Sequence, residues 1–513
     1  MAATASARPR HWMPRAASAF PVNGARLLRL ELRRNAMPWI LPLIAALFWF
    51  DSYRPSTGTE PLFGLRTFWN MGQGHTIIDF GPFVAGVAAW MGSRDGRRLP
   101  DLATATARPR WAAQLATWAA TAIWAVAGYL AFVGIMFAMY ARQGVTGTPP
   151  WWWVAVGATA VAAFSAAGFA VGAYWPSRFA APVAAFGGFL AMAMSSQTGF
   201  HFATGWALIL PTNSNGSFDS NVLSDSGIFY PWQPDLPIAR IMFLAGIAIA
   251  ALGLTGLPGR AGGPWLRRAA AVLTLAGVVL AGSAVGLADT ARLTAHGMVI
   301  PALHDAANDK PIPYTPDCGH AAGIPVCLNP AYRRWLPDIT ADLAPVLAEV
   351  AGLPGAPVRA AQVAAAYPSG SAGPPQAVTL GGSPPVLRLS LGMLNLPGSC
   401  GFCGGPVTAN LFAGQLRLMF AHTFVDAGNG PGSPVRQAVQ AALLQGAGIP
   451  LAAQPRLLGS TDNFQGPGPG SASGPVYTAA RRLASLPATA RHAWLAAHLA
   501  ALRAGTLTLR ELP

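Results

Sequence analysis

Lysine is almost missing from this chain: 33 of its 34 basic residues are arginine, and the single lysine is Lys310. A phosphate-binding P-loop needs G-x-x-x-x-G-K-[ST], with the lysine reaching the phosphates. Lys310 sits in AANDKPIPY, so the chain carries no nucleotide-hydrolysing loop of this type, and ATP-driven work would have to come from another subunit. H-E-x-x-H, the zinc-peptidase signature, is absent, and so is the G-x-S-x-G elbow of serine hydrolases. The nearest approach to the first is His422 and Asp426 in MFAHTFVDAG, an i, i+4 pair without the glutamate or the second histidine. Cysteine is limited to four residues, all beyond position 317. Charge of either sign is scarce, at 10% of residues against about a quarter in soluble domains.

What fills the chain instead is apolar, at 52% of residues, and it is grouped. Residues 36–288 are mostly a series of long hydrophobic runs, while 289–513 has none. A spanning helix needs about 20 apolar residues to cross a core of about 30 Å. Seven runs qualify as spans, over about 36–50, 76–92, 112–140, 151–175, 179–195, 238–257 and 269–288. Trp39 and Trp49 near the ends of the first, and Trp151–Trp153 before the fourth, suit the interface. The run 200–210 is too short to cross and is interrupted by Gly205, so an interfacial or re-entrant outer helix is expected there. No cleavable signal peptide is expected, because the first apolar run follows a long basic arm and lacks a small-residue cleavage site.

The formal charge of +15 divides unevenly: 20 basic and 9 acidic residues up to Ala288, then 14 and 10. The arginines of the first half cluster beside the spans, which favours anionic headgroups over nucleic acid as their partner. The arm 1–35 contains VNGARLLRLELRRN, an amphipathic helix suited to lying in the interface. With this arm inside, the cytoplasmic segments collect sixteen arginines. The short outer loops hold only Arg54, Arg66 and Arg142, with Arg240 at a span end, and 196–237 holds none. The positive-inside rule is then satisfied loop by loop, and seven spans put 289–513 outside. Cysteines confined to that region agree with an oxidising compartment.

The external region reads as a small, mostly helical α+β domain. A stalk (289–315) leads to a short cysteine loop, CGHAAGIPVC. Helices fit 338–351, 409–426, 434–446, 477–485 and 488–504. VLRLSL is a candidate strand, 367–385 reads as a loop, and 466–474 as a flexible linker. Cys318 and Cys327 are close enough in sequence to close a loop, which leaves Cys400 with Cys403; cross-links between the two pairs stay open. CGFC is similar to a dithiol redox motif, but Gly and Pro surround it, and a structural disulfide fits better. A zinc site with His320 remains an alternative. Within the spans, Gly168-x-x-x-Gly172 and Gly282-x-x-x-Gly286 could allow close helix contacts. Asp79 is the one acid near the bilayer core. Asn215-Gly-Ser217 matches a glycosylation sequon.

The segment Ser93–Trp111, SRDGRRLPDLATATARPRW, carries the densest charge between two spans. Pro100 suits a first helical turn, Asp101 the positive end of the dipole, and Pro109 limits the far end. The simple reading is a basic loop that fixes topology. The run R-D-G-R-R-L-P-D-L-A-T-A-T-A-R-P-R-W also resembles the loop between the first two hairpins of permease subunits in type-2 ATP-binding-cassette exporters. That loop has an acidic residue, basic residues and Gly, then Glu-Leu, a Thr-rich turn and Pro-x-x-Arg. Asp95 matches the first acid, and Asp101 stands for the glutamate before Leu102. Ala107, Arg108 and Pro109 depart slightly from the usual spacing.

The resemblance spans about 24–257. It implies an α-helical polytopic membrane protein with a six-span permease core (36–257), to which a cytoplasmic loop and seventh span (258–288) and the external domain (289–513) are added. Such extended forms are similar to actinobacterial members. It further implies that Asp95, Arg97, Arg98, Asp101, Leu102 and Arg108 dock a separate ATPase subunit, and that the permease works as a homodimer or heterodimer in the bacterial cytoplasmic membrane. No cofactor and no catalysis by this chain itself are expected. The other class the residues allow is a membrane-anchored external binding or thiol-redox domain without transport.

Overall fold

The computed structural model describes residues 20–52, 75–97, 110–142, 149–198, 205–210, 227–257, 264–294, 297–364, 378–391, 409–426, 433–454 and 474–513. The first half is mostly helical over these residues. An interfacial-type helix α1 (Phe20–Arg33) is followed by α2 (Met37–Ser52), α3 (His75–Arg97), α4 (Arg110–Arg142), α5 (Trp151–Tyr174), α6 (Ala180–Thr198), a short α7 (Gly205–Ile209), α8 (Asp235–Gly256) and α9 (Pro264–Asp289). Every one of the seven expected runs is therefore a helix. Four of them, 110–135, 151–174, 235–256 and 264–289, are long and apolar enough to cross a membrane. Shorter apolar helices cover 37–47 and 180–193. The architecture, mostly helical with four candidate membrane-spanning helices, is consistent with a helical membrane protein.

Small residues set how closely the helices pack. A Cβ on Gly168 of α5 would lie 2.7 Å from Ala85 Cα of α3, and one on Gly172 would lie 2.7 Å from the Ala89 carbonyl carbon. The four-residue step is shared by both helices, so the Gly168-x-x-x-Gly172 expectation holds. The second such pair does not act this way: among the described residues no neighbouring element comes within 4 Å of a Cβ placed on Gly282 or Gly286. The α8–α9 contact instead runs through Gly246 and Gly277, which lie against each other's backbones. α9 turns Ala270, Gly277, Ala284 and Ala288 inward and leaves Val272, Leu275, Val278 and Val279 exposed, the pattern of a helix added at the edge of a bundle.

Gly205 does not interrupt a helix, as the sequence suggested; it begins α7. Its N–H donates to Asp289 Oδ1 (3.1 Å), and its missing side chain lets the chain lie against Val285 and Asp289 at the end of α9. Leu208 at the far side accepts from Arg240 Nε at 2.7 Å, and the Arg240 guanidinium stacks 5.2 Å from the Trp153 ring. Arg240, placed at a span end by the sequence, is thus fully buried (1% exposed). Residues 200–204 lie outside the described set, as does the Asp79 side chain, although its backbone belongs to α3.

The expected stalk is also folded. It forms a hairpin, β1 (Arg292–Thr294) with β2 (Gly297–Val299), and a 3-10 turn at Ala306–Asp309. Beyond it, a five-stranded mixed sheet has the order β3-β4-β5-β7-β6, with β3 Asp317–Ala321, β4 Ile324–Leu328, β5 Arg359–Gln362, β6 Val378–Gly381 and β7 Val386–Leu389. The three central strands are parallel, and the two edges are antiparallel to their neighbours. CGHAAGIPVC is therefore a β-hairpin and not a loop. Its two-residue turn has positive φ at both positions, Ala322 (51°) and Gly323 (81°), which is the twist that a tight hairpin requires. VLRLSL supplies β7, as expected. Part of the expected 367–385 loop is strand β6.

Helix α10 (Leu336–Val350) crosses between β4 and β5. Its Ile339, Leu343, Val346, Leu347 and Val350 recur at helical spacing and are all buried against the sheet. The core continues into α11 (Ala409–Asp426), α12 (Pro434–Gly446), α13 (Pro475–Ser485) and α14 (Ala488–Ala504). These four match the expected helices to within two residues.

Arginine joins these helices where one lysine could not. Arg436 of α12 donates to the Leu502 and Arg503 carbonyls at the end of α14, at 3.2 and 2.8 Å. Arg503 in turn donates to the Phe424 carbonyl near the end of α11, at 2.9 Å from Nη2. Arg491 of α14 grips Glu349 of α10 through two nitrogens. Helix C-termini leave carbonyls unsatisfied, and the planar five-donor fork can reach several at once.

Candidate functional site

The end of the helical bundle at which α3 stops and α4 starts gathers most of the features marked by the sequence. Helix α1 lies along α4 there. Asn35 caps α2 by accepting from Met37 N (2.9 Å), and its amide donates to Thr121 Oγ1 of α4 (2.9 Å). Trp124 Nε1, one turn further along α4, donates to the Leu32 carbonyl (2.9 Å). An amphipathic helix with half its surface in water would not hold a fixed direction by itself; these two bonds fix it.

The loop between α3 and α4 is rooted on both sides. At its start, Arg94 in the last turn of α3 donates to both oxygens of Glu31 on α1 at 2.9 Å. Both partners are mostly covered, at 21% and 14% exposed, and a bidentate guanidinium–carboxylate pair is directional as well as strong. At its end, Trp111 donates from Nε1 to the Leu252 carbonyl in the last turns of α8 (3.1 Å), and its ring lies on Gly256, where a Cβ would meet it at 3.0 Å. Tyr174, at the end of α5, donates to the Leu254 carbonyl (2.5 Å). The ends of α1, α3, α5 and α8 and the start of α4 are thus tied together around the loop's base.

This end also carries the positive charge. Arg26, Arg29 and Arg33 of α1, Arg34 just after it, Arg110 of α4, Arg178 between α5 and α6, and Arg267 and Arg268 at the start of α9 are all exposed here. The opposite end differs: Asp235 begins α8 as a fully buried carboxylate, and Asp289 closes α9.

Of the residues singled out for docking, Asp95 and Arg97 fall in the last turn of α3, without described side chains. Arg98, Asp101, Leu102 and Arg108 lie outside the described residues. Glu31 and Trp111 were not assigned roles by the sequence, although a lone acid in a basic amphipathic helix and a tryptophan closing a basic loop are the signals that could have marked them.

The cysteines divide in the same way. Cys318 and Cys327 are bonded to each other across directly paired positions of the β3–β4 hairpin; Cys400 and Cys403 lie outside the described residues. The bonded sulfurs are not available as thiolate ligands, which removes them from the zinc alternative with His320. Among the described residues no group of three or more His, Cys, Asp or Glu side chains is arranged to hold a metal ion.

His422 and Asp426 do meet, at 3.0 Å. Asp426 is nearly fully buried, accepts from Gln440 Nε2 (3.1 Å) and faces Arg436 Nε (3.7 Å). Burial raises the Asp426 carboxyl above the ordinary carboxylate range, while His422 and Arg436 pull it down. With its surroundings occupied by an amide and a guanidinium that bind helix ends, this pair is part of the packing of α11 against α12.

No family model, curated protein or solved structure matches this chain.

Proposed function

We propose that this chain is the membrane-spanning permease subunit of an ATP-driven exporter, with ATP hydrolysed on a separate subunit that docks at the α3–α4 loop. The observation that carries the reading is the rooting of that loop. Both of its ends are fixed, by Glu31–Arg94 and by Trp111 on α8, so a force applied to the loop passes to α1, α3, α4 and α8 together. A loop that only set topology would need its arginines and no such anchorage.

In this reading the arginine-rich end faces the cytoplasm, all seven apolar helices cross the cytoplasmic membrane of a bacterium, and 289–513 lies outside. Two permease copies, identical or related, form the pathway. The chain is not itself an enzyme and uses no cofactor. The likeness of the loop to exporter permeases supports this in sequence, and the amphipathic helix ahead of α2 and the short helix ahead of α8 have the order expected of that architecture.

The test is at Asp101 and Leu102. Asp101→Arg reverses a charge and sets a cation where the sequence predicts a helix start, which the dipole disfavours. Leu102→Asp removes an apolar contact of about 1.5–3 kcal/mol, enough to weaken docking by more than tenfold. Both variants should insert normally, lose co-purification of the proposed ATPase subunit, and lose its stimulated hydrolysis. If both keep full partner binding and hydrolysis, the loop is a topology signal, and the membrane-anchored external domain becomes the better account.

A further inference from the structure

At the bundle end opposite the loop, the chain leaving α9 is held on the start of α8 by a cluster of polar contacts centred on His304. His304 stands between two carboxylates: its Nδ1 is 3.3 Å from Asp235 Oδ2 and its Nε2 is 3.0 Å from Asp309 Oδ2. Asp235 is fully buried and also accepts from the Ile300 backbone N–H (2.9 Å). Asp309 also receives Gln233 Nε2 (3.3 Å), which bonds the Asn308 carbonyl as well (3.3 Å). Residues 300–309 are thereby wrapped onto the turn at 233–235 that opens α8. The same neighbourhood continues into the external domain, where Ile312 N donates to the Phe229 carbonyl (2.8 Å) and Phe229 packs edge-on to Tyr314.

We propose that His304 is a proton-operated clasp that fixes the segment entering the external domain against the start of α8. The proposal goes beyond the transport reading and does not depend on it. An imidazolium has two N–H donors and can serve both carboxylates, whereas a neutral ring has one donor and must turn a lone pair on the other anion. Losing the proton therefore converts one of the two contacts from attraction to repulsion.

The charged groups facing the ring are Asp235 from α8 and Asp309 from the 3-10 turn. Asp305 accepts from Ala307 N within its own turn, and Arg292 and Lys310, the nearest cations along the segment, are exposed. The hydrogen bond to Asp309, helped by the charges of Asp309 and Asp235, raises the imidazole above its ordinary value, against a smaller opposing effect of burial. A folded-state value raised in this way means that the clasp is closed on the acid side and opens as pH rises through it.

Hydrogen exchange on the full-length protein in nanodiscs, corrected for intrinsic rates, tests this in peptides covering 298–309. Between pH 6 and pH 9 protection should fall by about tenfold or more, the factor corresponding to one charge-assisted hydrogen bond, while α10 peptides stay unchanged. His304→Gln should abolish the pH dependence. Asp309→Asn, a milder change, should move the loss of protection to lower pH. Unchanged protection in the natural chain, the same fall in His304→Gln, or an unmoved transition in Asp309→Asn would each overturn the clasp.

Discussion

Replacing Gly172 with alanine separates two opposing effects at the α3–α5 contact. Alanine is the better helix former by about 1 kcal/mol, so an open site would gain stability. At Gly172 the added Cβ would lie 2.7 Å from the Ala89 carbonyl carbon and 2.9 Å from its Cα, and closer still to its oxygen. Carbon atoms pack best at about 3.5–4.0 Å, so the helices would have to part by roughly 1 Å along a face that also holds Gly168 on Ala85. A gap of that size forfeits about a quarter to a half of each affected contact, and overpacking of a rigid backbone costs about 1–3 kcal/mol. The clash should outweigh the propensity gain, leaving a net loss of up to about 2 kcal/mol. Gly187 of α6 is the matched control, since nothing among the described residues lies within 4 Å of its added Cβ. Thermal unfolding in detergent, read by fluorescence-detected size exclusion, should place Gly172→Ala below the natural chain and Gly187→Ala at or above it. A Gly172→Ala protein as stable as Gly187→Ala would refute the reasoning.

Two further outcomes are expected. Burial pushes the Asp342 carboxyl from 3.8 up to about 7, against the pull of Arg417 at 2.9 Å; the folded protein then holds a proton that the unfolded chain has released, so this group's contribution to stability falls as pH rises from about 4 to 7. Asp342→Asn should flatten that slope in hydrogen exchange of α10 and α11 on the whole chain, and an unchanged slope would show that Asp342 is not its source. Cysteine labelling of intact cells should reach probes at Ser217 and Gly370 but not one at Arg97, and outside labelling at Arg97 would invert the proposed orientation.

Where hydrophobic runs are long, sequence and structure agree closely: all seven runs are helices, and α11, α12 and α14 begin and end at the residues expected. Short strands were harder to read. β5 is RAAQ and β6 is VTLG, too brief for alternation to rise above an alanine-rich background, and the turn between β3 and β4 puts alanine where Asn or Asp usually signals positive φ. The loop at 93–111 was legible from its charge, whereas its anchors were not. Arg94 finds Glu31 across 63 positions and Trp111 finds Leu252 across 141, distances at which local pattern carries no information. His304 was invisible for the same reason, because all of α8 and α9 lies between it and its partner Asp235 in the chain.

Helix α4 has 33 residues, about 50 Å of continuous rod at 1.5 Å per residue, against a hydrocarbon layer of about 30 Å. Its first turn holds Trp111 on α8, and towards the far end Phe132 and Phe137 pack against the core of the C-terminal domain. It contains no proline, the commonest cause of a sharp bend. A rod of this kind moves as a lever: a tilt of about 5° at one end displaces the other by roughly 4 Å, more than the width of a side-chain contact. The two ends of the bundle are therefore geared to each other mechanically, and a domain resting on the far end has to travel with the near one.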